Sequence, residues 1–336
     1  MSKLIIPEGY QAKLTIKETE EAIKLLKDYF ERRLGKELNL TRLSSPLFVR
    51  PETGLNDNLN GKEKPVTFQI KDSQSTSVEV VHSLAKWKRM ALKRYGFSIG
   101  EGIYTDMNAI RAEEDLGNLH SVYVDQWDWE KIIEKEDRNE QTLYQIVDQL
   151  YQVFKDTESY ISGIYSYIEP ILPEKISFIT TQELEDKYPD LTPKERENAI
   201  AKEKKAVFIS QIGGPLKSGE KHDGRSPDYD DWTLNGDIIF WYPVLEKAIE
   251  LSSMGVRVDH LALTKQLEES NCQDRANLEF HSMVLNKKLP FTIGGGIGQS
   301  RICMYYLRKA HIGEVQASVW PNEMIEQCDA KGIQIL

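Results

Sequence analysis

The chain has 336 residues, of which 40% are hydrophobic and 29% charged, and it carries 6 Trp, 15 Tyr and 10 Phe. That apolar supply excludes disorder as the main state and suffices for a sizeable core. Lys and Arg number 43 against 53 Asp and Glu, a balance of −10, which argues against a broad polyanion-binding surface yet allows a small anion held by a few placed Arg.

The spacing of Ile23, Leu26, Phe30 and Leu34 predicts a helix over 18–35, opened by a Thr15–Glu18 capping box and stopped by Gly35. The stretch 40–51 reads as extended, with Pro46 marking an edge or a bulge. A polar loop over 52–65 precedes two strands, 65–70 and 75–83, and a helix over 84–96. Residues 100–115 read as strand, turn, strand, and 120–127 as a clean strand. A long helix is expected from 140 to about 168 and a strand over 176–181. A helix near 192–206 has Thr192, Pro193 and Glu195 as its start signal. Strands follow at 206–214, 237–243 and 246–258, with a charged loop over 215–236 between the first two. Helices near 260–270 and 275–286 lead to a glycine-rich strand exit, a helix to about 308 and a last strand over 314–320. Strands come in runs without regular alternation with helices. That pattern predicts an α+β fold on a largely antiparallel sheet, and one domain spanning 1–336.

Cys272, Cys303 and Cys328 are widely spaced and odd in number, and the six His show no paired-ligand spacing. Neither a disulfide framework nor a transition-metal site is expected, and a reducing cytoplasm fits. No signal-peptide stretch opens the chain, and no window approaches the ~18 apolar residues of a membrane span.

The string GGGIGQSR, 294–301, is the most distinctive. Gly294, Gly295 and Gly296 could bare backbone N–H groups to an anion at a helix start, with Arg301 adding a bidentate contact; a tight strand-to-helix turn with a surface Arg explains the string equally well. The dinucleotide fingerprint does not fit, because Gln299 stands where its third Gly belongs. Arg111 ends a strand beside an acidic turn. It suits phosphate or carboxylate, but alone it reads better as a surface Arg paired to Glu113 or Glu114. Gln126 and Asp128 share one face if 125–129 stays extended, although Asp128 could equally cap a following helix. Asp237 and Glu250, on adjacent predicted strands, suit Mg²⁺ bridging phosphates, although ordinary solvent-facing acids would read the same way. Ser83, Lys86 and Lys88 sit at a strand-to-helix junction, and for Lys86 a solvated basic face is the expectation.

Taken together, DNLNG, VVHSLAKWKR, LHSVYVDQWDWE, YPDL, PDYDDW, LNGD, LSSMG and TIGGGIGQSR resemble the ammonia-dependent asparagine synthetases, the aspartate–ammonia ligases. That resemblance implies the catalytic fold of class II aminoacyl-tRNA synthetases, chiefly those for Asp and Asn, and a homodimer. The first helix with the stretch to Pro46 resembles the dimer-forming motif one. Arg111 resembles the motif-two Arg, and GGGIGQSR resembles motif three. The implied substrates are L-aspartate, ATP and ammonia, with Mg²⁺ and without nucleic acid. Arg111, Asp237, Glu250, Gly294, Gly295, Gly296 and Arg301 would serve ATP, and Asp237 and Glu250 would serve the metal. The substrate positions fall on Asp57, Lys88, Gln126 and Asp128, with Ser83, Asp230, Ser253 and Arg257 nearby. Asp57, Arg111 and Gln126 would be catalytic, Asp57 by holding ammonium and taking its proton. Free ammonia is favoured over glutamine because position 2 is Ser and the three Cys lie late without triad spacing. A tRNA synthetase core would need an anticodon module and a basic surface. A non-catalytic sensor would have less need of both Arg and the acid pair.

Overall fold

An eight-stranded sheet carries two faces of opposite character, and the alternation of single strands decides which is which. The computed structural model describes residues 4–59, 63–71 and 76–336, so Asn60 and Gly61 of the DNLNG string lie outside the described residues.

Helix α1 (Ile16–Leu38) opens with the expected capping box, Glu18 Oε2 accepting from the Thr15 N–H at 2.8 Å. It runs past Gly35 and ends at Asn39, which takes the left-handed conformation at φ 57°. A Cβ at Gly35 would make only an ordinary 3.4 Å contact with Tyr104, and the helix passes through the glycine without stopping. The strands β1 (Leu40–Arg42) and β2 (Phe48–Val49) follow, then β3 (Thr67–Gln69), β4 (Ser77–Val80) and helix α2 (Ala85–Arg94). Strand β5 (Gly102–Ile110) is unbroken where strand–turn–strand was expected. Strand β6 (Tyr123–Ile132) continues through the DQWDW string, so Asp128 is a mid-strand residue and caps no helix.

Helix α3 (Glu140–Ile164), strand β7 (Ser177–Thr180), helix α4 (Thr181–Lys187) and helix α5 (Pro193–Lys204) come next. The last has its Thr192–Glu195 box as expected, whereas α4 was not expected. The remaining elements are β8 (Ala206–Ser210), β9 (Asp230–Tyr242), β10 (Lys247–Arg257), α6 (His260–Glu269), α7 (Glu279–Leu285), β11 (Thr292–Gly298), α8 (Gln299–Tyr306) and α9 (Asn322–Asp329). The expected strand at 314–320 does not form. A 3₁₀ turn, Ile312–Glu314, starts there, and the side chains of Gln316 and Trp320 fasten the segment to Asp125 and His311.

The large sheet runs β1-β5-β6-β11-β10-β9-β8-β7, antiparallel except at β1/β5 and β7/β8. A second, three-stranded sheet runs β2-β4-β3. This is the expected α+β architecture. In β6, Trp127 and Trp129 face a core shared with α1, α3 and α8, where Phe30 stacks on Trp127 at 4.8 Å between centroids. Gln126, Asp128 and Glu130 therefore face the other way. On that second face α2 packs by Ala91 and Leu92, and α5 packs by Ile200 and Ala201. Among the described residues no helix is long and apolar enough to cross a membrane.

Candidate active site

Between α2 and α5 the sheet face holds a cavity of about 550 Å³. It brings together Asp57, Ser83, Lys88, Arg111, Gln126, Asp128, Asp230, Glu250, Ser253, Arg257, Gly295, Gly296 and Arg301. Two expected site residues stand back from it. Asp237 lies behind Arg225, which is ion-paired to it, and Gly294 lies beneath the Glu130–Arg257 pair.

The glycines act differently from the sequence expectation. All three are mid-strand in β11, paired with β6 on one side and β10 on the other. Their backbone groups face neighbouring strands rather than a ligand. What they supply is space. A Cβ on Gly296 would fall 2.7 Å from Gln126 Oε1 and 3.0 Å from Asp128 Oδ1. On Gly294 it would overlap the Glu130 carboxylate and lie 2.6 Å from Arg257 Nη2. Gly294 and Gly296 are thus the floor over which the polar side chains of β6 lie flat, while a Cβ on Gly295 would meet Met254 and Trp129 on the core face.

Lys88, fully buried on α2, reaches down to that floor. Its ammonium donates to Asp128 Oδ1 at 3.0 Å and to the Gly295 carbonyl at 2.9 Å. Burial pushes the Lys88 pKa down, and the Asp128 charge opposes that only in part. The other Asp128 oxygen accepts the Leu84 N–H at 3.2 Å, fixing the carboxylate at the start of α2. Beside this pair, Arg257 donates to both Glu130 oxygens at 3.0–3.1 Å from Nε and is ion-paired to Asp230. Burial pushes Asp230 up, with Arg257 and Arg225 pulling against it.

Asp57 closes another wall. Its Oδ2 accepts from Ser83 Oγ at 3.0 Å and Tyr229 OH at 2.9 Å, and its Oδ1 accepts the Leu59 N–H at 2.9 Å. The Asn56 side chain accepts from the His82 N–H at 2.8 Å, stapling this loop to the end of β4. His82 itself is buried in the cavity wall, its Nδ1 lying 3.0 Å from the Asp57 carbonyl.

A further group of residues surrounds Arg301. Its Nε donates to the Leu119 carbonyl at 3.3 Å and its Nη1 to the Glu250 carbonyl at 3.0 Å, with Glu250 Oε2 at 3.8 Å. Burial depresses the neighbouring His120 to about 4, helped by the Arg301 charge. Arg111 makes no ion pair among the described residues, and its buried Nε has no partner, so the expected pairing with Glu113 or Glu114 does not occur. Asp237 and Glu250 lie on adjacent strands, Asp237 opposite Ser253 and Glu250 two positions nearer the β9–β10 turn, opposite Ile239. Burial pushes Asp237 up to about 7 against the pull of Arg225, and the Glu250 charge adds to the rise. Burial raises Glu250 as well, but Arg301, Arg225, Lys194 and Arg111 outweigh it and leave the carboxyl lowered. Of the two only Glu250 lines the cavity, so the pair is a partial donor set for a hard divalent cation, with Asp237 held by Arg225.

Lys86 is the clearest correction. It is not a solvated residue but 1% exposed, and it lies 3.7 Å from the fully buried Asp228. His281 Nε2 and Arg275 Nη1 also reach Asp228, each at 2.8 Å. Burial raises the Asp228 pKa, but Lys86, His281 and Arg275 outweigh it and hold the carboxyl well below its usual range. His82, Glu130, Arg225, Tyr229 and Asp228 were all missed from sequence. The signal for Glu130 was present, since it continues the 126, 128 alternation.

The family model for aspartate–ammonia ligase matches residues 17–332. The chain belongs to the aspartate–ammonia ligase family. It is 67% identical over 336 residues to an aspartate–ammonia ligase of Ruminiclostridium cellulolyticum, covering all of both chains. It is 64% identical to one of Clostridium tetani over 99% of this chain and 98% of the relative. Its enzymatic class is therefore that of a ligase joining aspartate and ammonia. Among solved structures, the asparaginyl-tRNA synthetase of Pyrococcus horikoshii complexed with asparaginyl-adenylate superposes at a TM-score of 0.65 with 14% identity, over 90% of this chain and 70% of that one. The Entamoeba histolytica asparaginyl-tRNA synthetase gives 0.62 and 12%, over 90% and 67%. The fold is thus that of class II aminoacyl-tRNA synthetase catalytic domains, as the resemblance implied.

Proposed function

We propose that the ligase forms asparagine through a β-aspartyl-adenylate. A β-carboxylate oxygen of L-aspartate attacks the α-phosphorus of ATP, and pyrophosphate leaves. Ammonia then attacks the β-carbonyl carbon, and AMP leaves. The observation that carries this reading is the Lys88–Asp128 pair, with Nζ and Oδ1 3.0 Å apart in a cavity that Arg111 and Arg301 also line. A buried ammonium beside a buried carboxylate suits the α-carboxylate and α-amino groups of one amino acid. Arg111 and Arg301, with bonding capacity left, suit the phosphates.

In this reading Gln126 orients the side-chain carboxylate that reacts, and Asp57 holds ammonium. Arg111 stabilises charge on the transferring phosphoryl group, and Arg301 holds the distal phosphates. Asp237 and Glu250 would hold Mg²⁺, which when bound neutralises phosphate charge as pyrophosphate departs. Ser83, Asp230, Ser253 and Arg257 support the amino-acid pocket. The expected setting is a cytoplasmic homodimer that takes no nucleic acid, in keeping with the balance of −10.

The test is an incubation with ATP, Mg²⁺ and L-aspartate, with and without ammonium. Asparagine formed only with ammonium, in step with AMP, supports the reading. Pyrophosphate exchange without asparagine would mean that the adenylate passes to another acceptor. The Asp57→Ala variant should keep adenylate formation and lose the ammonia step; earlier loss of aspartate-dependent exchange would remove Asp57 from that role.

A further inference from the structure

Forming an amide from ammonium releases two protons, and the site needs a base beside the reacting nitrogen. Asp57 suits the charge of ammonium, but its carboxylate already accepts three hydrogen bonds, from Ser83, Tyr229 and Leu59. Imidazoles are also stronger bases than carboxylates, by about 2.5 pH units for the unperturbed side chains.

His82 supplies such an imidazole one residue from Ser83 and in contact with Asp57. It is 1% exposed and lines the same cavity. Its Nδ1 lies 3.0 Å from the Asp57 carbonyl, which can only accept, so Nδ1 carries the proton. The other nitrogen, Nε2, is then the one with the lone pair. It is buried and, among the described residues, makes no hydrogen bond. His222, His281 and His311 each also have one buried ring nitrogen without a partner, but of the four only His82 lines this cavity, beside Asp57 and Ser83.

We propose that His82 Nε2 is the proton acceptor of the ammonia step, which rests on the adenylate reading above. Ammonium held at Asp57 gives one proton to Nε2 and becomes ammonia. The nitrogen lone pair forms the C–N bond, the carbonyl π pair moves to oxygen, and its return breaks the C–O bond to AMP. The second proton leaves the nitrogen as the amide forms and passes to solvent at the cavity mouth.

The experiment compares His82→Asn and His82→Gln with the parent enzyme in three assays. These are aspartate-dependent ATP–pyrophosphate exchange without ammonium, asparagine formation with ammonium, and hydroxamate formation with hydroxylamine, which is largely unprotonated at neutral pH. Asn preserves a donor near the Nδ1 position, Gln an acceptor near Nε2, and neither amide is a base. In both variants exchange should fall less than threefold, hydroxamate formation less than tenfold, and asparagine formation about 10²-fold or more. Three results would overturn the proposal: asparagine formation within threefold of the parent, restoration by Gln, or equal loss with ammonium and hydroxylamine. Loss of exchange in both variants, with unfolding midpoints unchanged, would also overturn it and make His82 a residue that positions aspartate. Failure of the parent enzyme to make asparagine would instead count against the underlying reading.

Discussion

Replacing Gly294 by Ala tests why the glycine run exists. The added Cβ would overlap the Glu130 carboxylate and lie 2.6 Å from Arg257 Nη2 and 2.7 Å from the Trp129 carbonyl oxygen. The carbonyl belongs to a strand paired on both sides, and Glu130 and Arg257 are no more than 2% exposed, so none of the three can yield cheaply. Overpacking of this kind costs about 1–3 kcal/mol. If the Arg257–Glu130 pair parts, a buried charge loses its partner and the cost rises by about 3–5 kcal/mol. The expected loss is therefore about 3 kcal/mol or more, a large share of the ~5–15 kcal/mol that holds a domain folded. Urea unfolding measures it, and the aspartate KM should rise with it. Gly298→Ala is the control, because its nearest neighbour is the Arg301 side chain at 3.4 Å; it should stay within about 0.5 kcal/mol. A Gly294→Ala enzyme of parental stability and aspartate KM would refute the view that these glycines are floor space.

Asp228→Asn should cost about 3–5 kcal/mol in the same unfolding assay, since Lys86 would be left buried beside a neutral amide and Arg275 and His281 would lose a charged acceptor; a loss under 1 kcal/mol contradicts the network. Asp128→Asn should raise the aspartate KM about tenfold or more by removing one charge-assisted contact, while an unchanged KM would exclude Asp128 from the amino-acid pocket. Burial holds the fully enclosed His311 at about 4, below its ordinary 6.5. Its contribution is thus fully present above pH 6.5 and is lost as pH falls from 6.5 through 4, because the unfolded chain takes up a proton that the folded one refuses. That amounts to at most about 3 kcal/mol, and His311→Asn, which can still accept from the Gly313 N–H, should flatten the stability profile between those pH values.

Features set by local spacing were legible in the sequence. The capping boxes at Thr15 and Thr192 need only residues three apart, and the shared face of Gln126 and Asp128 needs only a strand period. Features set by contacts across the fold were not. Lys86 reads as a solvated basic residue until Asp228 is brought beneath it, and Arg225 reads as a loop residue until it meets Asp237. Gly35 shows how a local stop signal yields to packing, since the buried Leu34 and Leu38 carry α1 on to Asn39. The 314–320 segment alternates like a strand, yet the side chain of Gln316 is taken by Asp125 and Ser300, both buried.

The cationic groups of the cavity differ in how much bonding capacity they retain, and this separates scaffold from ligand contacts. Arg257 has its three nitrogens committed to Glu130 and Asp230. Burial works against the guanidinium's charge, yet those two carboxylates more than offset it and raise the pKa beyond its ordinary value. Arg111 has no ion pair among the described residues, and its Nε is unpartnered. Removing the two should therefore have opposite signatures. Arg257→Ala leaves Glu130 and Asp230 buried without their direct ion-pair partner, with only Lys88 and Arg225 acting on them from further off, and should cost about 3–5 kcal/mol of stability. Arg111→Ala removes no ion pair among the described residues and should change stability by less than about 0.5 kcal/mol, while slowing aspartate-dependent pyrophosphate exchange by about 10²-fold or more, as loss of a charge stabiliser in the nucleotide step requires. Unfolding curves and exchange rates on the same two preparations decide it. If Arg111→Ala proved as destabilising as Arg257→Ala, the division between scaffold and ligand contacts would be wrong.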